Sequence, residues 1–164
     1  MSLEIENVNI NISEDDTDGK YLTFLIDNQL FGMSISQIQQ IVGIQEITPI
    51  PEQPQYIKGI INLRGEIIPV MDMRLRIGKN EITYTERTCI IITSINGISM
   101  GVIVDEVDSV NDISDEQISH PPKVSDTGAK YITGIAKILN SVVLLVDLQM
   151  ILSNEDLQSI NNIK

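Results

Sequence analysis

An internal repeat is the feature that most constrains how this chain can fold. Residues 56–73, YIKGIINLRGEIIPVMDM, return as residues 131–148, YITGIAKILNSVVLLVDL. At a constant offset the anchor residues are identical, and the apolar positions between them stay apolar. The identical pairs are Tyr56 and Tyr131, Ile57 and Ile132, Gly59 and Gly134, Ile60 and Ile135, and Asp72 and Asp147. Two copies indicate a duplicated half-domain, because an open solenoid requires three or more units.

Short apolar runs separated by turn residues predict a chain made mostly of β-strands. Asn96-Gly97 lies between two such runs, and this dipeptide is a strong signal for a two-residue hairpin. Residues 101–107 also echo residues 32–38, which return from an earlier turn. Many short strands with closely spaced turns pack most simply as two small β-barrels related by duplication. We therefore predict a mostly β fold with two lobes and few helices.

Three local features carry more specific expectations. Residues 55–63 are predicted to hold a turn of helix. Pro69 lies in an apolar run and cannot donate a backbone hydrogen bond, so its strand should be at an edge or a bulge there. From Leu148 onward apolar residues recur with helical spacing, which predicts a C-terminal helix. The apolar residues of this stripe are Leu148, Ile151, Leu152, Leu157, Ile160 and Ile163.

Composition supports strands and narrows the possible partners. Apolar residues make up 42% of the chain, but aromatic residues only 4%, so Ile and Val must fill the core. A net charge of −12 disfavours nucleic acid and anionic membranes as partners. The single cysteine, Cys89, cannot form an internal disulfide, which fits a reducing cytosol. No apolar run reaches the roughly 18 residues needed to cross a bilayer, so we expect a soluble, cytoplasmic protein without direct membrane insertion.

The chain is expected to divide into three regions. Residues 1–19 are acidic and polar, which is typical of a flexible tail. Residues 20–152 contain both copies of the repeat and form the folded domain. Its first lobe is predicted at about 20–85 and its second at about 86–152. Residues 153–164 complete the C-terminal helical end.

One match to a catalytic motif invites a physical test. The pentapeptide at residues 97–101, GISMG, fits the G-x-S-x-G nucleophile elbow of serine hydrolases, and His120 follows it in the chain. The elbow requires a strand that turns sharply into a helix, whereas Asn96-Gly97 opens the return strand of a hairpin. A serine hydrolase that uses Ser99 is therefore a disfavoured alternative.

No cofactor or metal site is predicted. His120 is the only histidine and Cys89 the only cysteine, too few for a zinc site with three or four nitrogen or sulfur ligands. The acidic residues between positions 105 and 116 lack the residue order of a calcium loop. Phosphate-binding glycine motifs do not occur either. These patterns point to a protein that is not an enzyme.

The differences between the two copies separate scaffold from function. Asp72 and Asp147 follow equivalent apolar strands, so we predict that both cap the turn that follows. Arg64 has no counterpart, because the second copy carries Leu139 there. It lies beside a glycine in a turn, with Lys58 a few residues upstream. Arginine is over-represented among residues that dominate interfaces, so we predict that Arg64 contacts a protein partner.

The first copy resembles the CheW-like family, whose pattern is close to F-[IV]-x-G-[IV]-x-N-L-R-G-x-[IV]-[IV]-P-[IV]-x-D-[LM]-R. Residues 56–74 read YIKGIINLRGEIIPVMDMR, with Tyr56 in place of the commoner phenylalanine. The resemblance extends over about residues 21–152 and includes the echo at residues 101–107 and the second copy of the repeat. The acidic tail is not part of the family pattern.

This resemblance implies two SH3-like five-stranded barrels around a shared core, and a non-enzymatic chemotaxis adaptor without cofactors. Proteins of this family couple the cytoplasmic tips of methyl-accepting chemoreceptors to the histidine kinase CheA, which makes these two proteins the expected partners. By the same analogy Asn62 and Arg64 lie near the receptor-contacting surface, and residues 38–42 belong to the partner-facing side of the first lobe. The partner-binding residues predicted in all are Ile38, Gln40, Ile41, Val42, Lys58, Asn62 and Arg64.

Two alternatives within the family stay open. The chain could be the regulatory part of a CheA-type kinase or the adaptor half of a CheV-type protein. The expected neighbours are catalytic and dimerisation domains in the first case and a receiver domain in the second, and the chain contains neither. A standalone adaptor is therefore the simpler interpretation.

Overall fold

The computed structural model describes residues 19–120 and 130–152, and the predicted mostly β class is confirmed. One of its two sheets has five strands. Its strands are β3 (Ile38–Gly43), β4 (Ile57–Leu63), β5 (Glu66–Asp72), β6 (Cys89–Ile95) and β7 (Ile98–Val104). The strand order is β3-β6-β7-β5-β4. We call this sheet with its loops the five-stranded lobe.

The second sheet has six strands, one more than predicted, and the extra strand is the two-residue β9. Its strands are β1 (Lys20–Ile26), β2 (Gln29–Ser34), β8 (Glu106–Asp112), β9 (Ile118–Ser119), β10 (Ile132–Ile138) and β11 (Ser141–Val146). The strand order is β8-β1-β2-β11-β10-β9. We call this sheet with its loops the six-stranded lobe.

Helical structure in the described residues is confined to single turns. The α-helix α1 covers Met73–Arg76, and 3-10 turns occupy Ile35–Gln37, Asp115–Gln117 and Leu148–Met150. The helical turn predicted within residues 55–63 is wrong, because β4 occupies most of that stretch and pairs with β5. Cross-strand packing outweighs local preference there. Of the C-terminal helix predicted from Leu148 onward, the described residues contain only the 3-10 turn Leu148–Met150. Residues 153–164, and residues 1–18 of the predicted acidic tail, lie outside the described residues.

The hairpin signal is confirmed, whereas the edge or bulge predicted at Pro69 is not a sheet edge, because β5 is an inner strand between β7 and β4. Asn96 and Gly97 have backbone φ angles of 50° and 80°, as a tight hairpin turn between β6 and β7 requires. Pro69 pairs with Ile60 of β4, whereas the pairing of β5 with β7 begins only at Val70. Pro69 itself lies just outside the paired stretch with β7, so its missing N–H takes no hydrogen bond from that pairing.

The two halves of the chain exchange their first hairpins. β1 and β2 precede β3 in the chain, yet they pair with β8 and β11 in the six-stranded sheet. β6 and β7 come from the second half, yet they pair with β3 and β5. The predicted division into residues 20–85 and 86–152 therefore does not describe the two lobes. Each lobe takes strands from both halves, because long-range pairing decides which sheet a hairpin joins.

The duplication is nevertheless visible in the strand register. Gly101 lies opposite Val70 in the parallel pairing of β7 with β5. Gly32 lies opposite Leu145 in the parallel pairing of β2 with β11. The sequence echo between residues 32–38 and 101–107 thus corresponds to equivalent places in the two sheets.

Gly59 and Gly134, an identical pair of the repeat, each make room for a chain segment that crosses their hairpin. Gly59 has a φ of 142°, and a Cβ there would overlap the Thr48 carbonyl. A Cβ on Gly134 would lie 2.8 Å from Cγ2 of Ile118. The repeated glycines therefore have a packing reason, which is the close approach of another segment.

Each lobe has its own apolar interior, and a third cluster joins them. The interior of the five-stranded lobe contains Val42, Ile61, Ile68, Val70, Ile90, Ile92 and Ile103. The interior of the six-stranded lobe contains Ile113, Ala136, Val143 and Leu145. The largest cluster takes residues from both sheets, among them Phe24, Phe31, Met71, Ile91, Met100 and Val146. The two SH3-like lobes thus share one core, as the family resemblance implies.

Candidate protein-interaction surfaces

The predicted partner-binding residues 38–42 lie on β3, an edge strand whose one sheet neighbour among the described residues is β6. Ile38 and Gln40 are half-buried, and Nε2 of Gln40 has no hydrogen-bond partner in the described part of the chain. Ile41 and Val42 are only 3% and 0% exposed, because they pack in the shared core and in the five-stranded interior. The side chains of Ile41 and Val42 therefore anchor β3 to the apolar interior. A partner can reach only the backbone edge of β3 and its half-buried residues.

Asn62 and Arg64 lie at the opposite edge of the same sheet, at the tip of the β4–β5 hairpin. Arg64 is exposed and has a φ of 53°, and Gly65 follows with a φ of 85°. Oδ1 of Asn62 accepts a hydrogen bond of 3.0 Å from the Gly65 N–H, which holds the turn. No salt bridge to Arg64 forms within residues 19–120 and 130–152. The structure thus presents an exposed cation on a turn whose backbone is held in place.

Lys58 does not join Arg64, because the two residues lie at opposite ends of β4, about 20 Å apart along an extended strand. The Lys58 ammonium forms a salt bridge with Glu81. It also lines a cleft of about 390 Å³ together with Ile50 and Tyr84. The structure therefore divides the predicted residues among the β3 edge, the β4–β5 tip and this cleft.

The paired aspartates have the structural role predicted for them. Asp72 caps α1 by accepting a hydrogen bond of 3.3 Å from the Leu75 N–H, and it is 1% exposed. Asp147 caps the following 3-10 turn through the Gln149 N–H at 2.9 Å. Asp72 also accepts a hydrogen bond of 2.7 Å from the Tyr84 hydroxyl. Burial, and then this contact with Asp72, raise the pKa of Tyr84 well above its ordinary value.

The geometry at Ser99 does not match a hydrolase. Ser99 lies inside β7, and its Oγ donates to Oε1 of Gln39 at 3.4 Å. The chain continues from Ser99 as a strand, so the turn into a helix that a nucleophile elbow needs is not formed.

In the described ranges, no group of three or more His, Cys, Asp or Glu residues could hold a metal ion. No helix there is long and apolar enough to span a membrane.

Sequence reasoning missed an ion network centred on Arg74, which is 7% exposed. Its guanidinium donates to Oδ2 of Asp105 at 2.6 Å and to Oδ1 of Asp27 at 3.5 Å, and its Nε donates to the Asn80 carbonyl at 3.0 Å. The network ties α1 to the β1–β2 turn and to the end of β7, so it joins the two lobes. Arg74 is the last residue of the family pattern. Its neighbours in the sequence do not indicate that its partners lie in distant turns.

Arg76 forms a second link between the lobes that the sequence did not predict. Its guanidinium carbon lies 5.7 Å from the ring centroid of Tyr56 and 5.4 Å from that of Tyr131. These tyrosines are equivalent residues of the two repeat copies. The Nε atom of Arg76 donates to the Ile151 carbonyl at 2.6 Å. One arginine thus bridges the two copies through cation–π contacts.

Comparison with known proteins agrees with this architecture. The family described as CheW-like domain matches residues 20–156. The chain is 32% identical to the chemotaxis protein CheW of Klebsiella aerogenes over 145 residues, which are 88% of this chain and 87% of that protein. It is 33% identical to the chemotaxis protein CheW of Bacillus subtilis over 145 residues, 87% of this chain and 92% of that protein.

The fold gives the same result. The crystal structure of the scaffolding protein TtCheW from Thermoanaerobacter tengcongensis superposes with a TM-score of 0.77 at 35% sequence identity. The match covers 84% of this chain and 94% of that one. Proteins of this family are non-catalytic scaffolds in chemotaxis signalling. The chain belongs to the CheW-like family.

Proposed function

We propose that this protein couples the cytoplasmic tip of a chemoreceptor to a CheA-type histidine kinase. The observation that carries the proposal is Arg64, an exposed cation on a well-defined turn that one repeat copy has and the other lacks. The folded scaffold does not need an arginine at this turn, because Leu139 occupies the equivalent turn. An arginine that the fold does not require is well suited to contact a partner.

In this proposal the two edges of the five-stranded sheet serve different partners. The β4–β5 tip, with Asn62 and Arg64, contacts the receptor. The edge of β3 contacts the kinase, since an unpaired strand edge can add a strand from another protein.

The proposed mechanism is scaffolding. Holding receptor and kinase on one small protein raises their effective concentration, and a change in receptor state can then shift the population of active kinase. The protein would act in the cytoplasm, at arrays of membrane receptors. No chemical step by this chain is required.

A binding assay with a receptor cytoplasmic fragment and a CheA-type kinase tests the receptor surface. We expect Arg64→Ala to weaken receptor binding by 10-fold or more, about 1.4 kcal/mol or above, and to leave kinase binding unchanged. Arg87→Ala is the matched control, because Arg87 is also exposed and forms no salt bridge in the described residues. Equal effects of the two variants would contradict the role of Arg64.

The kinase surface is tested in the same assay. Ile38→Gln should weaken kinase binding and spare receptor binding, because Ile38 lies on the β3 edge. Ile82→Gln is its control, since Ile82 is 38% exposed and lies outside the proposed surfaces. If the wild-type chain binds neither partner, the coupling proposal is wrong and only membership of the family stands.

A further inference from the structure

The tip of the second hairpin has a feature that folding does not explain. Leu139, in the turn between β10 and β11, is 98% exposed and has a φ of 53°. The β1–β2 and β6–β7 turns place Asp27, Asn28 and Asn96 at such angles, residue types that tolerate them, whereas the equivalent β4–β5 turn has Arg64 at the same φ. A leucine there is strained, and its side chain buries almost nothing. The turn would be more stable with asparagine or glycine.

The surroundings of Leu139 form a small surface of defined chemistry. Lys137 and Val142 are directly paired across the two strands, so their side chains lie on the same face of the hairpin. Lys137 is exposed and Val142 is 48% exposed. We call Lys137, Leu139 and Val142 the second tip.

The second tip is the counterpart of the β4–β5 tip. Asn62 and Ile67 are directly paired in the first copy, as Lys137 and Val142 are in the second. Ile67 is 39% exposed, so both tips combine a cation with exposed aliphatic side chains. The cation is the turn residue Arg64 in the first tip and the strand residue Lys137 in the second. The two tips therefore differ in the position of their positive charge.

Charge identifies the kind of partner. The whole chain carries a net charge of −12, yet no salt bridge engages Lys137 within residues 19–120 and 130–152. A carboxylate beside an aliphatic surface would complement the lysine and the two aliphatic side chains.

We propose that the second tip docks a segment of another protein in which aliphatic residues alternate with Asp or Glu. Leu139 and Val142 contact the aliphatic residues, and Lys137 pairs with a carboxylate. This surface lies on the six-stranded lobe, away from the β4–β5 tip and the β3 edge. It is independent of the receptor and kinase contacts proposed above, so either proposal can fail alone.

The test uses the full chain, labelled with 15N, and a synthetic amphipathic peptide rich in leucine and glutamate. The peptide should shift the backbone amide signals of residues 137–142 and their strand neighbours. A matched peptide with lysine in place of glutamate should not. Lys137→Glu should reverse this preference, because the charge of the tip is then inverted.

Two variants separate docking from folding. Leu139→Asn should weaken peptide binding by 10-fold or more and raise Tm by about 2–4 °C, since asparagine accepts the left-handed backbone. Val142→Ser should also weaken binding. Val110→Ser is its matched control, because Val110 is 49% exposed on β8 beside acidic residues and should leave binding unchanged.

Three results would overturn the proposal. The first is the lack of localised signal changes up to about 1 mM peptide, a very weak affinity even for a transient contact. The second is a response of similar size to both peptides. The third is self-association of the chain without peptide that Leu139→Asn abolishes, which would make a second copy the occupant.

Discussion

At the scale of single residues, the repeat separates side chains that maintain the fold from those that are free for other tasks. Asp72 and Asp147 are identical in sequence and both cap a turn. Arg64 and Leu139 occupy equivalent turns with the same φ of 53° but differ in chemistry. Sequence comparison of the copies is therefore informative about role. The environment of each residue still differs, because the flanking loops are not repeated.

The aspartate caps give the first prediction. Asp72→Ala should lower the free energy of unfolding by about 2–3 kcal/mol, because α1 loses its cap and the half-buried Tyr84 hydroxyl loses its acceptor. Asp147→Ala should cost about 1 kcal/mol, mainly the cap. Urea denaturation measures both, with the exposed Asp112→Ala as control. A larger loss at Asp147 than at Asp72 would contradict this ranking.

The buried thiol gives a prediction on pH dependence. Burial raises the pKa of Cys89 above its ordinary value. The pKa of Cys89 is higher in the folded protein than in the unfolded chain. The buried, protonated thiol is therefore fully compatible with the folded state at neutral pH. Its contribution to stability is lost as the pH rises above the ordinary thiol value of about 8.5. Tyr84 acts in the same direction above about pH 10.

Alkylation by iodoacetamide provides the measurement for Cys89. The native protein at pH 7 should react orders of magnitude more slowly than the urea-unfolded protein, since the thiolate is the nucleophile and the side chain is 5% exposed. The free energy of unfolding should also fall between pH 8 and pH 10. Equal alkylation rates in the native and unfolded states would show that Cys89 is accessible.

At the scale of elements, a helix of a single turn connects the two lobes. α1 is too short to be stable alone and is held by the Asp72 cap at one end. Its two arginines reach in different directions, Arg74 to the ion network and Arg76 to the paired tyrosines. The element follows the first copy of the repeat, and in the second copy a 3-10 turn replaces it.

The ion network gives an element-scale prediction. Arg74→Met should cost about 2 kcal/mol, because it leaves the carboxylates of Asp27 and Asp105 without their shared cation. The cost stays below that of a fully buried pair, since the Asp105 and Asp27 side chains are 21% and 48% exposed.

A double-mutant cycle measured by urea denaturation tests the network. Arg74→Met should cost less when introduced into Asp105→Asn than into the wild type, since one of the stranded charges is already gone. Arg87→Met serves as the control for replacing an exposed arginine. Strict additivity of Arg74→Met and Asp105→Asn would exclude coupling between the two residues.

At the scale of the whole molecule, the exchange of hairpins makes the two halves interdependent. Each sheet is completed by strands from the other half, and the largest apolar cluster draws on both sheets. Neither half of the chain contains a complete lobe. The molecule should therefore unfold in one cooperative transition.

Fragments test this interdependence. Residues 1–85 and 86–164, produced separately, should each give the poorly dispersed NMR spectrum of an unfolded chain. Mixed in equal amounts they should form a 1:1 complex with the spectrum of the intact protein, because each supplies the hairpin that the other sheet needs. A native-like spectrum from either fragment alone would contradict the prediction.

Much of the local structure of this protein could be predicted from the sequence, although the helical turn predicted within residues 55–63 is a strand. The β class follows from Ile-rich and Val-rich runs between turns, the β6–β7 hairpin from Asn96-Gly97, and the caps from Asp72 and Asp147. Arg64 could be singled out because the other copy lacks it. These features depend on neighbours in the chain, which a sequence displays directly.

The way in which these elements combine depends on tertiary contacts. These contacts exchange the hairpins between lobes, bury Ile41 and Val42, pair Lys58 with Glu81, and join Arg74 to distant turns. Equivalent hairpins have similar apolar faces, so their sequences do not specify which sheet each joins. That choice depends on strand pairing and packing between residues far apart in the chain, and those contacts also determine which side chains remain exposed to partners.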